Sequence, residues 1–296
     1  MTELNNKIDF CIIFTVKNAN PNGDPLNGNR PRLDYEGHGE ITDVCLKRKI
    51  RNRMIDDGKS IFVQSDDKNV DGIGSLKERF ENFKKDKKGL DQDQLAKAAC
   101  QEWMDVRSFG QLFALKGDGS KGDKGDGSKG DKGVSIGIRG PVSIQSAFSV
   151  DQVSVTSVQI TKSTSSEKTS DGNRSSDTMG MKHRIDRGTY VTYGSINANL
   201  AEKTGFSEED AECLKEYLCT MFENDASSAR PEGTMAVKRV YWWKHNCKSG
   251  QYSSARVHNT IKLTVKDGVQ DPGLFEDYDI TETNLEGLEP EVLGPF

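Results

Sequence analysis

The chain of 296 residues lacks any long apolar run. Its longest, Phe10 to Phe14, falls far short of the ~18 residues that a membrane span needs, so no membrane partner is expected. The opening MTELNNKIDF has no basic segment followed by an apolar stretch, which argues against a secretory leader and makes the cytoplasm the expected location. Cys11, Cys45, Cys100, Cys213, Cys219 and Cys247 are scattered without a C-x-x-C pair, which excludes a dense disulfide framework and leaves reduced thiols. Nor do His38, His183, His245 or His258 supply closely spaced partners for a zinc set. GIRGPVSI lacks the G-K-[ST] ending of a phosphate loop, and no G-x-G-x-x-G follows the first strand. Asn18, Asn20, Asn22 and Gly23 open like a calcium loop, but its twelfth position is Asn29 where a bidentate Glu is required. Serine and cysteine hydrolase signatures are also missing. No cofactor, no metal and no catalytic residue is expected.

What is present is an uneven charge. The net charge is -5, yet residues 267–296 hold nine acidic residues and no Lys or Arg, so the rest of the chain has 41 basic against 37 acidic groups and carries +4. The acidic C-terminal segment reads first as a solvated face, and alternatively as a surface that docks a basic neighbour.

Along the chain, Lys7 to Val16 alternates at period two with Ile8, Phe10, Ile12, Phe14 and Val16 on one face. Cys11 and Ile13 make the other face apolar, so the element is predicted to be a central strand covered on both sides. It runs into NANPNGDPLNGNRPR (Asn18 to Arg32), whose prolines, glycines and asparagines predict an exposed loop that sustains neither helix nor ladder. Thr42 is an N-cap for a helix whose Leu46, Ile50 and Met54 stripe faces the core, with Lys47, Arg48 and Arg51 on one side of it and Lys49 and Arg53 on the other. A short strand is expected over 59–64, and helices over 75–85 and 93–106. Two copies of GDGSKGDK within 117–132 hold no apolar residue and predict a flexible inserted loop. Residues 141–162 and 179–196 read as arms of a long hairpin around a Ser-rich tip. Ser207 and Asp210 start a second helix with Leu214, Leu218 and Met221 behind them. Late strands are expected over 235–245 and 256–266. The order of elements favours an α+β fold with a mainly antiparallel sheet, for which a ferredoxin-like βαββαβ core with large insertions suffices.

Three basic clusters stand out: Arg30 and Arg32 in the loop, Lys47, Arg48 and Arg51 on the helix, and Lys182, His183, Arg184 and Arg187 on the hairpin. Cations spaced on several elements are what a phosphate track requires. Met179 and Met181 beside the third cluster are candidates to wedge against bases, or to pack the hairpin. Lys238, Arg239, Tyr241, Trp242 and Trp243 interleave cations with aromatics, a run that reads as half core and half face.

The blocks NPNGDPLNGNRPR, TDVCLKRKIRNRM, DVRSFGQLF, GIRGPVSIQSAFSV and MGMKHRIDRGTYVTYGSI together resemble the backbone subunit of the type I-C CRISPR surveillance (Cascade) complex, of the repeat-associated mysterious protein superfamily. The resemblance spans almost the whole chain and leaves 117–132 outside its blocks. It implies a single palm, finger and thumb domain with a ferredoxin-like, RNA-recognition-type palm and a thumb over about 141–196. It implies copies stacked as a helical filament along a CRISPR guide RNA, in contact with other Cascade subunits and, through the guide, with a target DNA strand. On this resemblance Asn20, Arg30, Arg32, Lys47, Arg48 and Arg51 grip guide phosphates, Met179, Lys182, His183 and Arg184 belong to the thumb, and Arg107 and Arg139 join the RNA-binding set. The expected activity is non-catalytic. The alternative is a metal-dependent ribonuclease like the related type III subunits, with Asp24 and Asp34 the nearest candidates, neither having an acidic or His partner at recognisable spacing. A scaffold that touches only protein is the third reading.

Overall fold

The computed structural model describes residues 2–115, 134–161 and 179–294. From the N-terminus come β1 (Ile8–Ala19), the two-residue strands β2 (Gly23–Asp24) and β3 (Arg30–Pro31), β4 (His38–Ile41) and α1 (Asp43–Asp56). An insertion follows with α2 (Leu76–Asp86), α3 (Gln92–Glu102), α4 (Met104–Phe109), β5 (Gly110–Leu115) and β6 (Val134–Arg139). Strands β7 (Val142–Ile144), β8 (Ala147–Gln152), β9 (Val155–Thr161) and β10 (Met179–Ile196) lead to α5 (Ala198–Thr204), α6 (Glu208–Cys219) and β11 (Met235–Lys244). Last come α7 (Ser254–His258), β12 (Ile261–Val265), β13 (Tyr278–Glu282) and β14 (Glu291–Leu293).

The main sheet is antiparallel and runs β14-β11-β1-β10-β8-β4, with β7 and β9 also pairing with β10. β1 lies at its centre because both of its faces are apolar. Ile8, Phe10, Ile12, Phe14 and Val16 enter one core with Leu46, Ile50 and Met54 of α1 and Leu214 and Leu218 of α6. Cys11 and Ile13 enter a second core on the opposite face with Tyr241, Trp243, Val257, Ile261, Leu285 and Leu288. Each such Phe, Leu or Ile taken fully out of water stabilises the fold by about 1.5–3 kcal/mol. The aromatic run on β11 is therefore core on both sides: Trp242 stacks on Phe10 at 5.8 Å while Trp243 stacks on Tyr241 at 5.7 Å.

Caps explain where the helices start. The Thr42 hydroxyl accepts the Cys45 N–H, and Ser207 and Asp210 form a reciprocal capping box at α6. The insertion has its own core, in which Phe62, Phe80, Phe83, Trp103 and Phe113 pack together, with Phe80 and Phe113 stacked at 4.2 Å.

Five expectations are corrected. Residues 59–64 form no strand, because the N–H groups of Phe62 and Val63 go to the Asp105 carboxylate at 2.8 and 3.0 Å rather than to a neighbouring strand. The helix expected over 93–106 breaks at Trp103, whose extended backbone (φ -115°, ψ 119°) separates α3 from α4. The strand expected over 256–266 begins only at Ile261, since Ser253 caps the short α7 before it. The loop from Asn18 to Arg32 does hold a ladder, the β2–β3 pair. The acidic segment is no mere solvated face: β13 pairs with β12, and β14 with β11. The 117–132 repeat and the Ser-rich tip over 162–178 lie outside the described residues. Among the described residues, no helix is long and apolar enough to cross a membrane.

Candidate nucleic-acid interface

The loop after β1 is built by its asparagines. The Asn22 Oδ1 accepts both the backbone N–H and the hydroxyl of Thr42 at 3.0 Å, which ties the loop to the N-cap of α1. Asn20, almost fully buried, donates from Nδ2 to the Asn29 carbonyl at 2.7 Å and leaves its Oδ1 without a partner. Arg30 is exposed on the ladder opposite Asp24, whereas Arg32 is half-buried and 3.3 Å from the Asp24 carboxylate. A groove of about 230 Å³ runs past Asp24, Asn27, Arg30, Arg32 and Glu40 to Val155, the first residue of β9. Leu26 and Tyr35, in the same stretch of chain, are 97% and 95% exposed, an unusual placement for large apolar side chains.

On α1 every cation has an intrachain partner. Lys47 binds Asp43 at 2.9 Å, Arg48 donates from Nη1 to the Val63 carbonyl at 2.8 Å, and Arg51 donates from Nε to Asp105 at 2.9 Å. Burial, with the Arg51 charge behind it, lowers the Arg48 pKa from its ordinary value. Arg53 lies 3.5 Å from Asp56. Lys49, expected to flank the stripe, is instead buried and paired with Asp225, which also holds Arg230 at 3.3 Å. These residues surround an open cleft of about 500 Å³ lined by Asn22, Thr42, Arg48, Asn52, Asp225 and Arg230 among others. The buried Oδ1 of Asn52 has no hydrogen-bond partner.

The β9–β10 pair adjoins the groove through Val155. Lys182 opposes Val158, His183 opposes Ser157, and Arg184 opposes Thr156. Directly opposed residues share a face, so Lys182 and Arg184 lie with Val158 and Ile160, and Met179 and Met181 lie on the other side. All four apolar residues are exposed, Met179 the most at 66%. His183 is buried and its Nδ1 is 2.8 Å from the Ser157 hydroxyl, which places it in the hairpin's own packing. Arg184 is 3.5 Å from Asp186, and Arg187 pairs with Asp271.

Arg30 and Arg32 thus line the groove with Val155, Arg48 lines the cleft, and the Asn22–Thr42 hydrogen bonds tie the two regions together, whereas Asn20 and Lys47 line neither. Arg51 also lines neither, its Nε being bound to Asp105 of the insertion. Two residues lie elsewhere. Arg107 forms a two-point ion pair with Asp210 at 2.8 and 2.7 Å that fastens α4 to α6. Arg139 is exposed at the end of β6, in a different cleft.

With this geometry established, the family model described as "CRISPR-associated protein Cas7" matches residues 6–283. The chain belongs to the Cas7 family. A relative from Haloferax volcanii, named CRISPR-associated protein Cas7, is 27% identical over 271 residues, covering 89% of this chain and 76% of its own. Among solved structures, a chain of "CRISPR RNA-guided surveillance complex, pre-nicking" is similar with a TM-score of 0.47 and 16% identity, covering 89% of this chain and 84% of that one. A chain of "CRISPR RNA-guided surveillance complex" is similar with a TM-score of 0.44 and 16% identity, covering 89% and 78%.

Sequence reasoning on this Cas7 chain missed Asn52, Asp225 and Arg230. Residues 224–230 sit far along the chain from α1 and carry no motif, so only the fold places them at the cleft. It also missed the surroundings of Asp34. Glu36 and His38 bring ligand-type atoms within 4.8 Å of one another and of Asp34, so that Asp34 does have acidic and His neighbours. Desolvation works against ionisation of Asp34, but the N–H groups of His38 and Glu36 outweigh it and hold the carboxyl below its ordinary range.

Proposed function

We propose that this chain is a guide-RNA-binding backbone subunit of the type I-C kind, assembled in copies along the spacer part of a CRISPR RNA in the cytoplasm, with other Cascade subunits, so that the guide is presented to a target DNA strand. The observation that carries the proposal is the convergence of the loop after β1, the first half of α1 and the Asp225–Arg230 segment around one open cleft, beside a groove that leads to the β9–β10 hairpin. Arg30 is exposed. Arg48 and Arg51 each commit one donor of a guanidinium that carries five N–H bonds, so further donors remain for phosphate oxygens. Lys47 likewise has three donors and one carboxylate partner.

In this reading the sheet with its two helices is a ferredoxin-like palm. The succession β1, α1, β7/β8, β10, α6, β11, with β1 between β10 and β11, supports that assignment. The insertion is the finger part, and the region over about 141–196 is the thumb, whose exposed Met179 and Met181 suit contact with bases. All are parts of one domain. Non-closing, heterologous contacts between copies would then make the filament. Protein holds backbone and shape while pairing reads sequence. The reading asks for no cofactor and no catalytic step.

The test is to co-express the tagged chain with a CRISPR array and its companion subunits and to sequence the RNA that co-elutes. Spacer-length guide RNA on a high-mass assembly supports the proposal, and its loss from an Arg30→Ala, Arg32→Ala, Arg48→Ala variant assigns the track. A chain that elutes free of RNA beside an RNA-loaded remainder refutes it. The Asp34, Glu36 and His38 grouping favours a second reading, a metal-dependent ribonuclease. Cutting of a labelled complementary RNA by the assembly, lost in Asp34→Ala, would establish that reading, and an uncut RNA would end it.

A further inference from the structure

A second cleft, of about 470 Å³, opens between α3, β6 and α5. Three cations line it, one from each element: Lys97, Arg139 and Lys203. All three are exposed, and among the described residues none has a carboxylate within ion-pair distance. The cations of α1, by contrast, are all engaged. A single acidic residue, Asp93, lines the cleft against them. Between the charges the lining is Ala96, Cys100, Ile138, Leu200, Thr204 and the backbone at Gly137, where an added Cβ would meet nothing nearer than the Leu112 side chain at 3.9 Å. Arg139 is set on a rigid support. It opposes Gly110 in the β5–β6 ladder, and Gly110 and Gly140 approach so closely that a Cβ on either would stand 2.3–2.4 Å from backbone atoms.

This cleft lies away from the loop that carries Arg30 and Arg32 in the proposed guide track. α5 follows directly on Ile196, which pairs with Ile8 at one end of β1, whereas the loop bearing Arg30 and Arg32 leaves from Ala19 at the other end. At ~3.4 Å per residue the two ends of β1 are roughly 37 Å apart.

We propose that this cleft binds the phosphodiester backbone of a single-stranded nucleic acid, as a second strand-binding site on the same chain. Unpaired cations from three elements, concave walls and an apolar floor open to a sugar or base are the features such a strand requires. The obvious rival occupant is the acidic segment of a second copy. That segment is already folded onto its own chain through β13 and β14, and Asp271, Asp277, Glu282 and Glu291 are bound to Arg187, the Gly273–Leu274 turn, Tyr241 and Lys215.

The test is lysine-acetylation footprinting of the full chain, read residue by residue by mass spectrometry, with and without a single-stranded oligonucleotide. Slower modification of Lys97 and Lys203 on adding the oligonucleotide supports the proposal. Equal protection by inorganic pyrophosphate makes the cleft a free-phosphate site and overturns the strand assignment. Protection that rises with protein concentration alone assigns the cleft to contact between copies and overturns it too, as does no protection at all. Lys68, which lines the cleft beside α1, serves as the reporter of the proposed guide track, so failure of either site is read independently of the other. Replacing Lys97, Arg139 and Lys203 together by Ala should flatten the dependence of log affinity on log salt by about 2, from three lost contacts at ~0.7 each for single strands. An unchanged slope in a variant whose circular dichroism matches the parent refutes the site.

Discussion

Replacing Arg107 by Ala separates a structural role from an RNA-binding one. The guanidinium holds both oxygens of Asp210, at 2.8 Å from Nε and 2.7 Å from Nη2, with the two side chains 14% and 8% exposed. Asp210 is also the third residue of α6, where it accepts the Ser207 N–H at 3.1 Å. Truncation leaves a carboxylate in a site that water reaches poorly, with one of its hydrogen bonds remaining. Breaking such a pair costs about 3–5 kcal/mol. The retained Ser207 bond and the residual exposure place the expected loss near the lower end, about 3 kcal/mol. For a chain of 296 residues that is a fall in melting temperature of about 5 °C. Urea unfolding followed by tryptophan fluorescence measures the loss, and RNA retention by the folded fraction measures the other role. A stability change below about 1 kcal/mol together with lost RNA retention would refute the reasoning, because exposed surface cations have that profile.

Glu209 is held down to about 2, below its ordinary 4.5, chiefly by the Thr2 backbone N–H and then by its own N–H and the Ser207 hydroxyl. A depressed carboxyl stabilises the fold above its unfolded pKa, and that contribution disappears as pH falls from about 4.5 toward 2. Glu209→Gln should therefore flatten the urea midpoint against pH over that window, and an unchanged acid limb would count against the contact. Asp105→Ala strands the N–H groups of Phe62 and Val63 and the Arg51 guanidinium at once, with an expected loss of about 3–5 kcal/mol; a loss under 1 kcal/mol by urea titration would refute the hub role. Gly194→Ala drives a methyl to 2.2 Å from the Phe10 ring and 2.5 Å from the Ser143 carbonyl, so a destabilisation of about 1–3 kcal/mol is expected from calorimetry. A neutral result would mean that β10 and β1 pack less tightly there.

The elements legible in the amino-acid sequence are those whose physics is local. Period-two alternation in β1 announced a strand covered on both faces, and the two cores meeting at Phe10 and Cys11 follow from it. Thr42 and Ser207 announced their helices because a capping side chain bonds a backbone N–H only two or three residues away. The quoted blocks named the family. Charge was where sequence reading fell short. A row of cations on α1 looks free until the partners arrive from elsewhere, Asp105 for Arg51 and Asp225 for Lys49, residues far along the chain with no fixed spacing to the helix. For the same reason Arg107 reads as a candidate ligand-binding residue in one dimension and as a fastening between two helices in three. Conversely, Lys97, Arg139 and Lys203 belong to no common motif and share a cleft only because α3, β6 and α5 meet. Backbone periodicity is written in neighbouring residues, whereas the neutralisation or exposure of a charge depends on which distant segment packs against it. The elements with strong local signals, β1, α1 and α6, and their core faces were therefore determined by the sequence alone, whereas the fate of residues 59–64 and the availability of each cation were decided by the tertiary fold.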